Sequence, residues 1–310
     1  MNIIAGEKEK NYSLVKKFSE VTFWNSEYAA FLSDDFTLEL PFAPPGWLQN
    51  MSPSESKTHL QWLERTVTNW AWSDIKVYAT NYPDKFWILR SGEGDVFWMA
   101  RDGRLNSRFI TRVDVREGKI SHMKDCFDNM RVYEAVGIAL PEFYYTAPLA
   151  DTMADRPKVP VLEGEALKKN TLAAVRSFVS VDFWEDDGTG QVYADNFVHQ
   201  LPFTPRSMPR RYNLKEYDAL NVWLQEHAKT WEVHPGTVLY ETDSEGEYII
   251  ESGGCGKTTW SGIKNGFYQN RHVSYLKVEN GYAVEFDEYF DPLKKFNSIN
   301  QSIPSIPYLY

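Results

Sequence analysis

Apolar residues recur at helical spacing near the start of the chain and again in its second half. The positions that carry this pattern are Val15, Phe18, Val21 and Trp24, and then Val175, Phe178 and Phe183. Residues three or four positions apart lie on one face of a helix. Each half is therefore predicted to open with a long amphipathic helix.

A second helix is predicted in each half, followed by strands. The first spans about residues 53–67, where Ser52 is placed to cap the helix and Glu55 to complete a capping box. The second spans residues 214–229. Alternating apolar and polar residues then predict strands, as at 72–79 and 105–115. Helices followed by strands indicate an α+β fold, in which a curved antiparallel sheet wraps around the helices and encloses a cavity.

The two halves repeat the same features in the same order. The matched pairs are Phe18 with Phe178, Leu40 with Leu201, Trp70 with Trp231 and Gly118 with Gly281. The spacing within the pairs grows only from 160 to 163 residues along the chain. Small loop insertions in a duplicated domain produce such a drift, whereas chance matches do not stay in order. The sequence thus predicts tandem domains at 1–145 and 165–310.

A linker is predicted at residues 146–164, between the two domains. It contains Pro148, Pro157 and Pro160 and shows little apolar periodicity. The aromatic residues just before it, Phe143 to Tyr145, are expected to pack onto the first domain.

Charge and composition exclude several classes of partner. The 310 residues include 43 acidic and 33 basic side chains, giving a net charge of -10, and no run is rich in Lys or Arg. Nucleic acids and anionic membranes are therefore not expected as partners. No 18-residue apolar run and no cleavable leader pattern occur, so a cytoplasmic location is expected. Cys126 and Cys255 lack metal-ligand spacing and are expected to be buried thiols without a metal.

Two glycine-containing runs, at 92–94 and 253–256, show no phosphate-binding motif. Neither run has the Lys-Ser/Thr pair of a phosphate loop at the required spacing, although Lys257 and Thr258 directly follow the second run. Both are expected to be hairpin turns. With no other cofactor motif present, the sequence predicts a protein that works without a cofactor on a small-molecule substrate.

Each half also places one acid on an apolar strand face. Alternation puts Glu288 on the face of Phe286 and Phe290, and Asp125 on the face of Met123 and Phe127. Burial raises the pKa of a carboxyl group, which would let it exchange protons near neutral pH. A structural acid held by an arginine or by backbone amides is the alternative reading.

Histidine and tryptophan complete the set of candidate site residues. His59 and Trp62 share one side of the second helix, which makes His59 the first candidate for proton transfer, ahead of His272 and His199. A packing role is the alternative. The indoles of Trp62, Trp72 and Trp223 are interpreted as pocket walls, with an ordinary core role as the alternative.

These residues resemble the phenazine-biosynthesis A/B proteins, within the SnoaL-like, nuclear-transport-factor-like superfamily of cone-shaped α+β folds. In the first half the resemblance lies in His59-Leu-Gln-Trp62, in Asn69-Trp70-Ala-Trp72 and in the ending at 131–138. In the second half it lies in the segments 251–257 and 265–270. The resemblance implies dimers without cofactors and acid/base help in amine–carbonyl condensation.

Carried over by position, the family's acid falls on Asp125 and Glu288. Its histidine falls on His59 in the first half and on Leu220 in the second. Its pocket tyrosine falls on Tyr268 in the second half and on Leu105 in the first. Tyr268, His272 and Trp223 are therefore expected to bind substrate in the second half. The first half is favoured for chemistry, since His59 and Asp125 combine an acid and a base of different pKa.

The function predicted from the sequence is that of a cofactor-independent cyclodehydratase-like enzyme of antibiotic-type metabolism. It would catalyse condensation, cyclisation or dehydration of a small substrate. The alternatives are a ketosteroid-isomerase-like proton-transfer enzyme and a non-catalytic binding protein. The two domains are expected to pair face to face as an intrachain pseudo-dimer, with a homodimer as the alternative.

Overall fold

The structure, a computed structural model, describes residues 3–22, 26–179 and 191–307. Trp24 and Phe183, which belong to the helix predictions above, lie outside the described residues. Within the described part of the chain, no helix combines the length and apolarity of a membrane span. The chain divides into two units, Met1–Leu140 with Ile303–Tyr310, and Pro141–Ser302.

The described residues of the first unit form four helices and six strands. The helices are α1 (Ile3–Glu20), α2 (Ser26–Ala29), α3 (Pro53–Thr66) and α4 (Asn129–Ala135). The strands are β1 (Leu32–Glu39), β2 (Asn50–Met51), β3 (Val67–Ala79), β4 (Lys85–Trp98), β5 (Arg101–Arg116) and β6 (Lys119–Phe127). They form one sheet in the order β2-β1-β6-β5-β4-β3.

The second unit repeats this plan. Its helices are α5 (Gly164–Ser177), α6 (Leu214–His227) and α7 (Leu293–Ser298). Its strands are β7 (Tyr193–Gln200), β8 (Arg211–Asn213), β9 (Glu232–Val233), β10 (Val238–Glu241), β11 (Glu247–Thr258), β12 (Gly266–Glu279) and β13 (Tyr282–Phe290). The main sheet runs β10-β11-β12-β13-β7-β8, and β9 pairs with β11. The predicted α+β fold in tandem is thereby confirmed.

The sheets are mixed, which corrects the prediction of purely antiparallel sheets. In the first unit β1 runs parallel to β6, and in the second β7 runs parallel to β13. The reason is the chain path: after β1 the chain crosses through the second helix to the far edge of the sheet. The meander then works back, and its last strand returns beside the first in the same direction.

Local sequence signals explain where the second helix of each unit begins. Ser52 caps α3, and the reciprocal bond to Glu55 completes the predicted capping box. Asn213 and Glu216 form the same box at the start of α6. In both helices the bulky residues face inward, and Trp62 and Trp223 are buried there.

The division between the units differs from the boundaries expected from the sequence. Phe143, expected on the first domain, packs in the second unit, where its ring lies 6.0 Å from that of Trp260. The C-terminal segment groups with the first unit: Ile306 is buried, and its backbone N–H donates to the carbonyl oxygen of Pro45 at 2.9 Å. The apolar residues of this segment, such as Ile303 and Ile306, were the local sign of this docking.

The two glycine runs are not hairpin turns, contrary to the prediction. Gly92 lies within β4 and Gly254 within β11. A Cβ at Gly92 would overlap the indoles of Trp70 and Trp72, and one at Gly254 would overlap the indole of Trp231. Glycine is therefore required at both positions, because a tryptophan ring lies directly across the glycine backbone.

Candidate functional site

The larger cavity lies within the second unit, between its sheet and helices α6 and α7. It has a volume of about 140 Å³. Most of its wall is apolar or aromatic, as in ordinary small-molecule sites. The side chains on this wall that can carry or share a proton are His199, Tyr217, Tyr268, His272, Glu288 and Lys295.

His272 and Glu288 form a hydrogen-bonded pair across two adjacent strands. Nδ1 of His272, on β12, lies 2.8 Å from Oε1 of Glu288, on β13. About a quarter of the Glu288 side chain is accessible, whereas only a tenth of His272 is. The other ring nitrogen of His272, Nε2, is buried and has no hydrogen-bond partner among the described residues.

The environment keeps Glu288 ionised, which corrects the expected rise in its pKa. Burial raises the pKa of Glu288, but the hydrogen bond from His272 and the positive charge of Lys295, with the charges of His272 and His199 when these rings are protonated, hold it below its ordinary value. An ionised carboxylate only accepts hydrogen bonds, so Nδ1 of His272 carries a proton. When the ring carries a single proton, Nε2 therefore holds the lone pair.

His199 stands behind this pair as a buried neutral ring. It stacks on Phe286 with ring centroids 5.3 Å apart, and its Nδ1 lies 3.0 Å from the carbonyl oxygen of Phe286. Burial lowers the pKa of His199 to about 4, while the charge of Glu288 and the bond to Phe286 act in the opposite direction. His199 is therefore uncharged at neutral pH.

Tyr268 lines the cavity as predicted, but it is not the direct partner of Glu288. Its hydroxyl accepts a hydrogen bond from Nδ2 of Asn270 at 2.7 Å. Burial raises the pKa of Tyr268 well above its ordinary value. It therefore serves as a neutral hydroxyl rather than as an anion in this site.

The cavity of the first unit is smaller and holds fewer polar groups. Its volume is about 50 Å³, and His59, Trp72 and Asp125 lie on its wall as predicted. The indole of Trp47 fills much of the space beside them, with its ring centroid 6.1 Å from that of His59 and 5.4 Å from that of Trp62. His59 and Asp125 thus share one cavity, which has less free volume than that of the second unit.

The environments of His59 and Asp125 shift the pKa values of the two groups in opposite directions. Burial raises the pKa of Asp125, opposed by the charge of Arg90 and by the Thr111 hydroxyl, which donates to the carboxylate at 2.5 Å. Burial alone accounts for the pKa of His59, lowered to about 3. This environment favours, for Asp125, the alternative reading of a structural acid beside an arginine.

Trp62 and Trp223, predicted to bind substrate, lie one layer behind the cavity walls. Trp62 stacks on Trp98 with centroids 5.4 Å apart, and Trp223 stacks on Trp260 at 5.7 Å. Trp98 and Trp260 are the residues on the walls. The two predicted tryptophans therefore support the site without facing it, because the inner side of the helix packs against a second indole first.

Strand register gives the residue-by-residue correspondence between the units. Phe109 faces Phe127 across β5 and β6, as His272 faces Phe290 across β12 and β13. Phe109 therefore stands where the second unit has His272. The same register places Arg90 opposite Phe109 and Ser252 opposite His272.

Sequence reasoning missed Trp47, Arg90 and Lys295. Trp47 and Met208 occupy the same turn, since the N–H of each donates at 3.0 Å to the carbonyl oxygen of a proline three residues earlier. Continuing the repeat beyond its four anchors would have exposed this replacement. Only the register of the sheet identifies the counterpart of Arg90, and Lys295 sits in a short helix with no chemical motif.

The fold and cavities define a tandem of two α+β pocket domains, each with an acid on the last strand of its sheet. The sequence profile described as "Phenazine biosynthesis protein A/B" matches residues 51–146 and 183–308, which together make up most of the chain. The chain therefore belongs to the phenazine biosynthesis protein A/B family, as the resemblance predicted.

Individual relatives match over shorter stretches. The phenazine biosynthesis protein PhzA of Pseudomonas fluorescens is 28% identical over 88 residues, 28% of this chain and 53% of that protein. An uncharacterised PhzA/B-like protein of Pseudomonas aeruginosa is 31% identical over 103 residues, 32% of this chain and 70% of that protein. The chain spans about half the length of the phenazine biosynthesis proteins it matches.

Among solved structures, the chain is similar to a phenazine biosynthesis-related protein of Pseudomonas aeruginosa. The identity is 18% and the TM-score is 0.40. The match covers 46% of this chain and 94% of that one.

Proposed function

We propose that the second unit carries a cofactor-free acid/base active site that joins an amine to a carbonyl group with loss of water, in specialised metabolism. The observation that carries the proposal is the His272–Glu288 pair, 2.8 Å apart on the wall of a 140 Å³ cavity. The family adds support, because it and its relatives are named for phenazine biosynthesis.

In the proposed reaction His272 moves the protons. Glu288 accepts the Nδ1–H bond and fixes the ring, so that Nε2 takes a proton as the amine adds to the carbonyl carbon. The imidazolium, stabilised by Glu288, gives this proton to the oxygen. A second transfer by the same ring moves the remaining N–H proton to the resulting hydroxyl group, which leaves as water. One C–N double bond replaces one C–O double bond, and no oxidant or reductant is needed.

The first unit, which the sequence favoured for chemistry, takes second place in this proposal. Its cavity has about a third of the volume of the other. His59, with a pKa lowered by burial to about 3, is a weak base, and the charge of Arg90 acts on Asp125. We assign the first unit a structural or ligand-holding role.

The test uses aminoacetone as the probe, because two molecules condense to a dihydropyrazine with release of two waters. Under argon, we expect the protein to accelerate this condensation and His272→Asn to reduce the acceleration by about 10²–10⁴-fold. His122→Asn is the matched control, since this histidine bonds Thr37 and lines neither cavity. Equal rates for wild type and His272→Asn would contradict the proposal.

A second arm separates the isomerase and binding alternatives. The pair also has the chemistry to move a proton between the carbons of an enolisable ketone. Deuterium exchange into acetylacetone without any condensation of aminoacetone would support an isomerase. Saturable binding of either probe with neither reaction would support a binding protein.

A further inference from the structure

The second cavity contains a lysine that the acid/base reaction above does not use. Lys295 lies in α7 and is only 5% exposed. Its Nζ lies 4.9 Å from the ring centroid of Trp260, 5.0 Å from that of Phe290 and 5.3 Å from that of Tyr268. The amine is therefore held at the cavity wall by aromatic rings.

Local contacts fix this position. Leu293 and Phe296, the neighbours of Lys295 on α7, are buried. Ser298 joins α7 to the wall by accepting a 2.8 Å hydrogen bond from Nε1 of Trp260. Gly266 lets the end of α7 approach β12, because a Cβ there would overlap the carbonyl oxygen of Ser298. The lysine is thus built into the cavity.

The first unit shows which residue packing alone requires at this position. Asp128 and Asp291 each accept a hydrogen bond from the N–H two residues ahead, so both helices begin in the same way. Counting from these acids places Val132 where the second unit has Lys295. Val132 is fully buried and lines the first cavity. Because valine satisfies the packing, a buried ammonium in the second unit indicates a role for the amine.

The surroundings of Lys295 favour its reactive form. Burial lowers the pKa of Lys295 to about 8, while the charge of Glu288 acts in the opposite direction. About a tenth of the side chain is then the neutral, nucleophilic amine at pH 7. His272 and Lys295 both contact the ring of Phe290, so a proton carrier and the amine share this part of the cavity.

We propose that Lys295 forms an imine with the carbonyl group of an aldehyde or ketone substrate. The proposal deepens the proposed function and rests on the same cavity. The Nζ lone pair adds to the carbonyl carbon, a proton passes from nitrogen to oxygen, and the hydroxyl leaves as water when it is protonated. The substrate amine then attacks the imine carbon, a new C–N double bond forms, and Lys295 leaves as the free amine.

The experiment is reductive trapping. The wild-type protein is incubated with benzaldehyde and cyanoborohydride at pH 7.5, and benzylated lysines are located by peptide mass spectrometry. At this pH an amine with a pKa of about 8 has a neutral fraction about a hundredfold that of an ordinary lysine, so we expect Lys295 to be labelled faster than its neighbour Lys294. Labelling at this position should vanish in Lys295→Met and persist in Lys294→Arg. Its rate should rise with pH up to about 8.

The inference is overturned if Lys294 is labelled as fast as Lys295, or if Lys295 stays unlabelled while surface lysines react. Aminoacetone condensation distinguishes this failure from failure of the proposed function. If His272→Asn stops condensation while folded Lys295→Met retains it, the acid/base site stands and the imine falls. If both variants lose condensation and Lys295 is trapped, both proposals hold.

Discussion

The two units place an acid at the same point of the same strand and surround it with different side chains. Asp125 in the first unit and Glu288 in the second both lie on a cavity wall. The first unit then has Phe109, Val132 and Leu105 where the second has His272, Lys295 and Tyr268. The comparison teaches that a few wall positions, and not the fold, decide whether the cavity is apolar or rich in proton carriers.

The volumes of the two cavities also differ because of one wall position. Trp47 occupies the first cavity, and the smaller Met208 stands in the same turn of the second unit, where 140 Å³ remains open against 50 Å³. The first unit thus uses its interior for packing. The second leaves room for a ligand beside its titratable groups.

The largest effect on stability is expected at Arg90, the residue that balances Asp125. Arg90→Ser introduces the residue that the second unit has at this position, Ser252, and leaves a buried acid without its nearest charge. We expect a loss of about 3–5 kcal/mol in the free energy of unfolding, measured with urea. Arg104→Ser, at an arginine whose side chain is 58% exposed, should lose less than about 1 kcal/mol. Equal losses in the two variants would contradict a structural role for Asp125.

Exchanging Trp47 and Met208 tests whether these residues set the volumes of the two cavities. Trp47→Met should open the first cavity and lower the free energy of unfolding by about 2–4 kcal/mol, because a buried indole loses its contacts. Met208→Trp should fill the second cavity, at about 1–3 kcal/mol. Urea unfolding measures both. Condensation of aminoacetone should be lost in Met208→Trp and retained in Trp47→Met, and the reverse pattern would show that the first cavity is the active one.

The two units also share a dependence of stability on pH through their buried histidines. Burial lowers the pKa of His199 to about 4 and that of His59 to about 3, so the folded state resists protons that the unfolded chain binds below about 6.5. The contribution of these two neutral rings to the free energy of unfolding is therefore fully present above pH 6.5. It is lost as the pH falls toward the two lowered pKa values. Each histidine contributes up to about 1.4 kcal/mol per pH unit.

Each histidine has a leucine as its counterpart in the other unit, Leu38 for His199 and Leu220 for His59. His199→Leu and His59→Leu should therefore flatten the fall in unfolding free energy between pH 6.5 and 4. Urea unfolding at several pH values measures the slope. A slope unchanged in both variants would show that these rings are not buried as neutral groups.

Sequence periodicity predicted much of the fold. The repeat, the capping box at Ser52 and the strand face of Phe286, Glu288 and Phe290 all follow from local spacing, and the structure confirms them. The glycine runs were wrongly predicted to be hairpin turns, because the tryptophans that lie across them come from another segment of the chain. Local patterns carry no information on such contacts.

The candidate site was predictable only in part. His272 and Glu288 were both named, yet their pairing depends on the register of β12 against β13, which the sequence does not specify. Arg90, whose charge acts on Asp125, was not named at all. Lys295 was missed since a lysine in a short helix is ordinarily solvent-exposed, and only the aromatic wall around it makes it an interior residue.

The most direct test of which unit carries the chemistry compares the two acids. Initial rates of aminoacetone condensation are measured for Glu288→Gln and Asp125→Asn, with circular dichroism to show that both variants are folded. The account predicts that Glu288→Gln is slower by about 10²–10⁴-fold. It also predicts that Asp125→Asn stays within about twofold of wild type, less than about 0.5 kcal/mol in activation free energy. A folded Asp125→Asn that loses activity, beside an active Glu288→Gln, would move the chemistry to the first unit and contradict the account.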